Sequence, residues 1–279
     1  MPAGRKVTGF NGTTAINGCP YCKCQSHSYS DLSIINGGIM RRTWLEWKIH
    51  ATRWRDAKTL AEQSSLKSTN GVAWSELLRL PYWDPTQFFV VDGMHNLFLG
   101  LAQHHPTPLP TRPIPNPHRM VKRDVERVRG VMAAISSPSW LGRVTVDFGG
   151  ASHGTPKADE WRTATTVQLP LALTVLWFGT DRQSDLDWFL DLATAIHIGT
   201  SRSTSASRAK DYARHMRSYL NGLVKRGFSL VPNHHAALHF PDFMTAFGPA
   251  RGWWCFPVER QIGLLKKIRT NNNYGSPYS

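Results

Sequence analysis

The chain has 279 residues, 41% of them hydrophobic, enough to bury a sizeable core as one elaborate domain or two small ones. Lys and Arg number 33 against 19 Asp and Glu, a formal charge of +14, so a polyanion is the first partner to consider. No run reaches the roughly 18 consecutive apolar residues of a membrane span, and the start lacks the basic-then-apolar layout of a secretory signal; both point to an intracellular setting with reduced thiols.

Residues 1 to 30 carry Gly4, Gly9, Gly12 and Gly18 among polar residues and predict a loop around a cysteine cluster. Three of the four cysteines, Cys19, Cys22 and Cys24, crowd into this stretch, a poor disulfide framework but a fitting soft-metal site. Cys255 stands apart and is expected as a small buried apolar residue. From Met40 to Leu66 the pattern predicts one helix with an aromatic face of Trp44, Trp47 and Trp54. Phe88 to Val91 is β-branched and aromatic and predicts a short strand, followed by Asp92 at a turn and a helix from Met94. Six prolines between 105 and 118 mark a linker. Helical patterns resume over 119–135, 159–178, 184–198 and 205–226, and the tail from Thr270 reads as an unpacked end. The expected architecture is mainly α with a few short strands, and several of the eleven tryptophans are expected in a buried aromatic core.

Cys19 and Cys22 have the spacing at which a tight turn offers two thiolates to one tetrahedral zinc. Cys24 and His27 are the nearest further ligands, but three histidines, His234, His235 and His239, are better grouped. On a regular helix His235 and His239 differ by about 40° around the axis and His234 and His239 by about 140°, which favours the first pair. A frayed first turn capped by Asn233 leaves the second pair open. Glu259 follows Pro257 at the start of a predicted helix whose apolar face is Val258, Ile262, Leu265 and Ile268. It is either a capping carboxylate or a metal-binding carboxylate beside the cationic strip Arg260, Lys266, Lys267 and Arg269, which would hold a phosphate backbone.

The opening PAGRKVTGF with CPYCKC, the central GVAWSELLRLPYWDPTQFFVVDGMHNLFLG, and the closing NHHAALHFPDFMTAFGPARGWWCFPVERQIGLLKKIRTNNNYG resemble transposases of fungal CACTA-type (En/Spm-like) DNA transposons. Nearly the whole chain is covered, more weakly between 102 and 230. The resemblance implies an RNase H-like DDE catalytic core, in which two aspartates and a glutamate hold Mg²⁺ or Mn²⁺ ions, and a nuclear DNA-binding protein. It implies that Glu259 is the catalytic glutamate, in an F-P-x-E-R motif, and that Asp92 and His95 form the D-x2-H signature that lies between the second aspartate and that glutamate and is grouped with the catalytic residues; the alternative is Asp92 capping the helix that follows, with His95 packed on it. It implies structural zinc on Cys19, Cys22, His234 and His239, the last two as an H-x4-H motif. Both catalytic aspartates would precede the segment that here begins Met1-Pro2-Ala3-Gly4-Arg5-Lys6, so a chain inactive by itself is expected.

On this reading residues 1–100 are a remnant of the core, 101–230 a helical insertion, and 231–279 the closing part of the core with the glutamate-bearing helix. Uncovered apolar surface would then favour self-association. The alternative function is a zinc-stabilised structural or interaction protein without a nucleic-acid role.

Overall fold

A computed structural model describes residues 2–105, 122–138, 140–142 and 156–268. The protein is mainly helical. Its N-terminal third holds α1 (Pro2–Val7), α2 (Leu32–Ile35), α3 (Trp44–Asp56), α4 (Leu60–Asn70) and α5 (Pro85–Phe88), followed by a π-helix over Met94–Ala102. Beyond it lie α6 (Lys122–Ala134) and α7 (Ala158–Thr163), the latter continuing through a π-helical stretch, Ala164–Gln168, into α8 (Leu169–Trp177). Next come α9 (Gln183–Gly199), α10 (Ala206–Lys225), α11 (Pro232–Ala237), α12 (Phe240–Phe247) and α13 (Phe256–Leu265). No strand occurs among the described residues; pairing is confined to isolated antiparallel bridges, Phe10 with Val72 and Cys22 with Arg41.

Three expectations need correction. Residues 88–91 form no strand. Asp84 accepts a hydrogen bond from Thr86 N and Pro85 takes the first helical position, so the chain turns into α5 and the apolar run becomes its exit. The helix expected from Met40 to Leu66 is two, because Thr59 caps a new start by accepting from Glu62 N while Glu62 reaches back to Lys58 N. The first 30 residues are not all loop, since α1 opens them. The Pro-rich linker lies almost wholly outside the described residues, as does the tail from residue 269 onward.

The four later helical expectations match α6, α7–α8, α9 and α10 to within a few residues, apart from the start of the first, which lies outside the described residues. Helices α9 and α10 form the most extensive pair. Gly222 lets them approach: a Cβ there would stand 2.6 Å from the Trp188 ring, whose Nε1 donates to Tyr219 O. One apolar core joins Tyr21, Cys22 and Tyr29 near the N-terminus to Leu97, Phe98, Leu173, Phe189, Tyr212 and Phe240. A smaller cluster of Phe10, Trp47, Ala51, Val72 and Leu78 supports the N-terminal loop from the other side. Trp47, Trp161, Trp177 and Trp188 are buried, so much of the tryptophan serves packing, although Trp140 is exposed.

Inside this core His105 is buried and contacts the Tyr219 hydroxyl through Nδ1. Burial, with lesser contributions from Arg226 and His234, pushes its pKa down to about 3 from an ordinary 6.5. Its neutral form is therefore the folded form. The stability it contributes is complete above pH 6.5 and is lost as pH falls toward the folded value, roughly 2 kcal/mol of it by pH 5. Urea unfolding at pH 7 and pH 5 checks this: His105→Phe is expected to show a shallower loss than the parent, and equal losses would contradict the assignment.

Candidate metal centre and the Asp92, His95 and Glu259 cluster

The cysteine loop is held before any ligand is considered. Arg42 Nε donates to Cys19 O and Cys22 O at 3.1 and 3.0 Å, and its Nη1 to Asn70 O at 2.9 Å. Arg5 Nη1 donates to Asn11 O and Gly18 O. Gly9, at φ +79°, brings the loop against residues 72 and 73, where a Cβ would stand 2.3 Å from Ala73 O; only glycine fits there. Neither arginine had a signal in the sequence, because each acts on main-chain carbonyls brought together only by the fold.

The histidines come from the other end of the chain. Pro232 starts α11, which carries His235, and His239 follows at the N-cap of α12. Cys22 Sγ lies 3.1 Å from His235 Nε2, Cys19 Sγ 3.4 Å from His239 Nε2, the two sulfurs 3.4 Å apart and the two Nε2 atoms 3.3 Å apart. All four residues are buried, and together they form a cluster that could hold a metal ion. It joins positions 213 and 220 residues apart in sequence.

The second histidine of the cluster is His235. His234, which the resemblance implies as the ligand, points elsewhere: its Nδ1 accepts from Val231 N at 3.1 Å and its ring meets Tyr219 edge-on. The tight turn that joins α11 to α12, with Leu238 N bonded to His235 O and His239 N to Ala236 O, brings His235 and His239 together at the cysteines and leaves His234 on the other side. His235 stacks on Tyr29 with ring centroids 4.4 Å apart, and its Nδ1 is buried without a hydrogen-bond partner. Cys24 is buried beside the cluster but outside it, and His27 lies on a short 3₁₀ turn away from it.

Burial opposes ionisation of Cys19, yet the Cys22 thiol and the two histidines hold its pKa well below the ordinary thiol range. Cys22 moves the other way, because it donates to Cys19 and is itself buried. His239 is pushed down by burial, partly offset by Cys19. Its Nδ1 contacts Arg41, which also pairs with Asp242 at 2.6 Å.

The other predicted residues converge as well. Asp92 is buried, with Oδ1 accepting from Cys255 N at 2.7 Å and Oδ2 from His95 N at 2.9 Å and from the His95 ring Nδ1 at 2.5 Å. Burial works against its charge, but these hydrogen bonds, led by the His95 side chain, leave its pKa below the ordinary carboxylate value. Across the chain, His95 Nε2 lies 3.8 Å from Glu259 Oε1. Cys255 is half-buried rather than fully buried, and a nitrogen of His95, an oxygen of Asp92 and Cys255 Sγ all lie within 4.8 Å of one another.

Glu259 sits in the first turn of α13 as expected, but the apolar face of that helix is not covered. Val258, Ile262, Leu265 and Ile268 are all exposed, and so are Arg260, Lys266 and Lys267. Among the described residues the helix meets the rest of the fold at its root, where Phe256 packs on Phe98 and Trp254, and through Glu259 beside His95. Arg269 lies outside the described residues. No described helix is long and apolar enough to cross a membrane. No protein-family model matches the chain, and no curated protein is similar to it.

Proposed function

We propose that this protein is a zinc-clipped, DNA-binding relative of the CACTA-type DDE transposases that does not by itself cleave or join DNA. The observation that carries the reading is the joint placement of its two motifs. The fold that closes Cys19 and Cys22 on His235 and His239 also sets Glu259 beside Asp92 and His95.

Two thiolates and two imidazoles are a zinc donor set. Bond lengths of about 2.3 Å to sulfur and 2.0–2.1 Å to nitrogen put tetrahedral donors about 3.3 to 3.8 Å apart. The separations of 3.1 to 3.4 Å in the cluster need only a slight expansion. Zinc on the Nε2 of His239 leaves a proton on Nδ1, so Arg41 would turn from the ring to its other partner, Asp242. The ion here is a structural clip, and the cluster is too buried to leave an open coordination position for chemistry.

Catalysis of the DDE kind needs carboxylates free to hold two ions. Both oxygens of Asp92 are already committed to hydrogen bonds, which leaves Glu259 as the one free carboxylate of this cluster. The exposed apolar face of α13 is where the RNase H-like core that the resemblance implies would pack, and the same face offers a surface for self-association. DNA, in a nuclear setting, is the polyanion the +14 charge suits. Arg260, Lys266 and Lys267 project from an exposed segment, and Lys210 and Arg217 line a cleft of about 310 Å³ between α10 and α12.

Binding to a labelled duplex across a salt series tests this. Affinity is expected to fall steeply with salt, and the double variant Lys266→Ala/Lys267→Ala is expected to reduce the slope by roughly two, since each phosphate contact contributes about 0.9. The same preparation should leave supercoiled plasmid intact with Mg²⁺ or Mn²⁺. Affinity indifferent to salt would instead favour a zinc-held scaffold without a nucleic-acid role, and plasmid nicking abolished by Glu259→Gln would overturn the inactive reading.

A further inference from the structure

A cleft of about 460 Å³ opens beside the cysteine loop, and neither the clip nor the cationic segment of α13 uses it. Its geometry starts from backbone pairing: Lys23 N donates to Met40 O and Arg42 N to Tyr21 O, which sets Tyr21 beside the start of α3. Tyr21 and Phe243 meet edge-on with ring centroids 5.3 Å apart and line the cleft together with Trp44. Tyr21 is only 6% exposed, yet its hydroxyl has no hydrogen-bond partner among the described residues. A polar group buried in this way costs free energy unless something entering the cleft meets it.

The donors come from the start of α3. Thr43 caps this 13-residue helix by accepting from Glu46 N, which leaves the amides of Trp44 and Leu45 without an intrahelical acceptor at its positive end. Arg41 is exposed and uses only Nη1, on His239 and Asp242; its Nε and Nη2 have no partner among the described residues. The acceptors come from α5 and α12. Gln87 donates through Nε2 to Asp84 and keeps Oε1, while Asp242 gives Oδ2 to Arg41 and keeps Oδ1. Most of the remaining acidic charge is committed, since Asp84 accepts from Thr86 and Gln87, and Glu46 pairs with Lys23 at 2.7 Å.

A helix start with a free guanidinium edge suits a phosphate, the aromatic wall suits a planar ring, and the acceptors suit a ring amino group. The volume lies within the range of small-molecule sites. We propose that the cleft binds one nucleoside 5′-phosphate unit, with its phosphate at the start of α3 and on Arg41 and its base against Tyr21, Phe243 and Trp44. The Tyr21 hydroxyl and Gln87 Oε1 then meet the polar edge of the base. Such a unit is supplied either by a free nucleotide or by the end of a strand. The proposal does not depend on the transposase reading, and the cleft shares no residue with Asp92, His95 and Glu259.

Titrating 2-aminopurine riboside 5′-monophosphate, whose fluorescence is quenched by stacking, into the zinc-loaded chain tests the site. Saturable quenching is expected, with AMP competing and with adenosine and inorganic phosphate each competing roughly tenfold more weakly, because each supplies only part of the contacts. Tyr21→Phe removes the hydroxyl and keeps the ring, and is expected to weaken binding by roughly five- to tenfold, the worth of one hydrogen bond. Arg41→Gln is expected to weaken it by about tenfold or more, through loss of a charged contact to phosphate. Lys266→Ala/Lys267→Ala should bind the probe as the parent does, which separates this site from DNA binding by α13. A short 5′-phosphorylated single strand that binds more tightly than AMP makes a strand end the occupant, and equal or weaker binding makes it the free nucleotide; both outcomes support the site. The proposal is overturned if the zinc-loaded parent shows no saturable quenching or if inorganic phosphate competes as well as AMP. It is equally overturned if Tyr21→Phe and Arg41→Gln, with parental zinc content, bind the probe as the parent does.

Discussion

Cys22→Ser and His235→Ala will each release the clip ion and lower the thermal midpoint by roughly 10 °C or more, whereas His234→Ala will retain the ion. Structural zinc in small domains supplies an apparent 10–16 kcal/mol of binding free energy. Part of that remains as stability here even though a large apolar core supports the rest of the chain. A loss of only 4 to 5 kcal/mol already corresponds to about 10 °C or more, at 2 to 4 °C per kcal/mol for a chain of this size. The loss should be large because the clip closes a loop of more than 200 residues. Without the ion the four ligands remain as buried polar groups. His234→Ala removes a ring that accepts one backbone hydrogen bond from Val231. Its cost is expected to be about 1 to 2 kcal/mol, with zinc content unchanged. Metal analysis after dialysis and thermal melts with and without chelator check the three variants together. Zinc retained by His235→Ala but lost from His234→Ala would restore the ligand set that the resemblance implied.

The second large effect is expected at Asp92. Asp92→Ala leaves the His95 and Cys255 amides and the His95 ring without their acceptor, in a site only 1% exposed. The expected cost is about 3 to 5 kcal/mol, the range for removing one partner from a buried charged network. The effect should be local as well as global. From Pro257 to Ile268 every residue is exposed, so the root of α13 depends on Cys255 N meeting Asp92 and on Phe256 meeting Phe98 and Trp254. Limited proteolysis is therefore expected to cut the variant within 255–268 well before the parent chain. A variant with parental stability and an unchanged cleavage pattern would remove Asp92 from the architecture.

Much of the helical plan was legible, because α9 and α10 show apolar periodicity over 17 and 20 residues. Short elements were less so. The run 88–91 has strand composition, and only the Asp84–Pro85 start shows that a helical turn precedes it. The division between α3 and α4 did carry a signal, the Thr59-x-x-Glu62 cap, but it sits inside a continuous polar pattern and is easily passed over. At the metal centre, helical spacing alone favoured His235, while the family resemblance favoured His234; the local argument matches the structure. What sequence could not show is the support around the site. Arg42 and Arg5 bind carbonyls, Tyr29 stacks on His235, and the Cys255 amide meets a carboxylate 163 residues away. The exposed apolar face of α13 was also hidden, since an amphipathic pattern tells which face is apolar and not whether anything covers it.

The most direct test of the clip is X-ray absorption at the zinc edge on the chain carrying one equivalent of zinc. The proposed zinc clip calls for a shell of two sulfurs at about 2.3 Å and two imidazole nitrogens at about 2.0 Å. A shell of three sulfurs, one dominated by oxygen, or a chain that retains no zinc would contradict a clip made by Cys19, Cys22, His235 and His239.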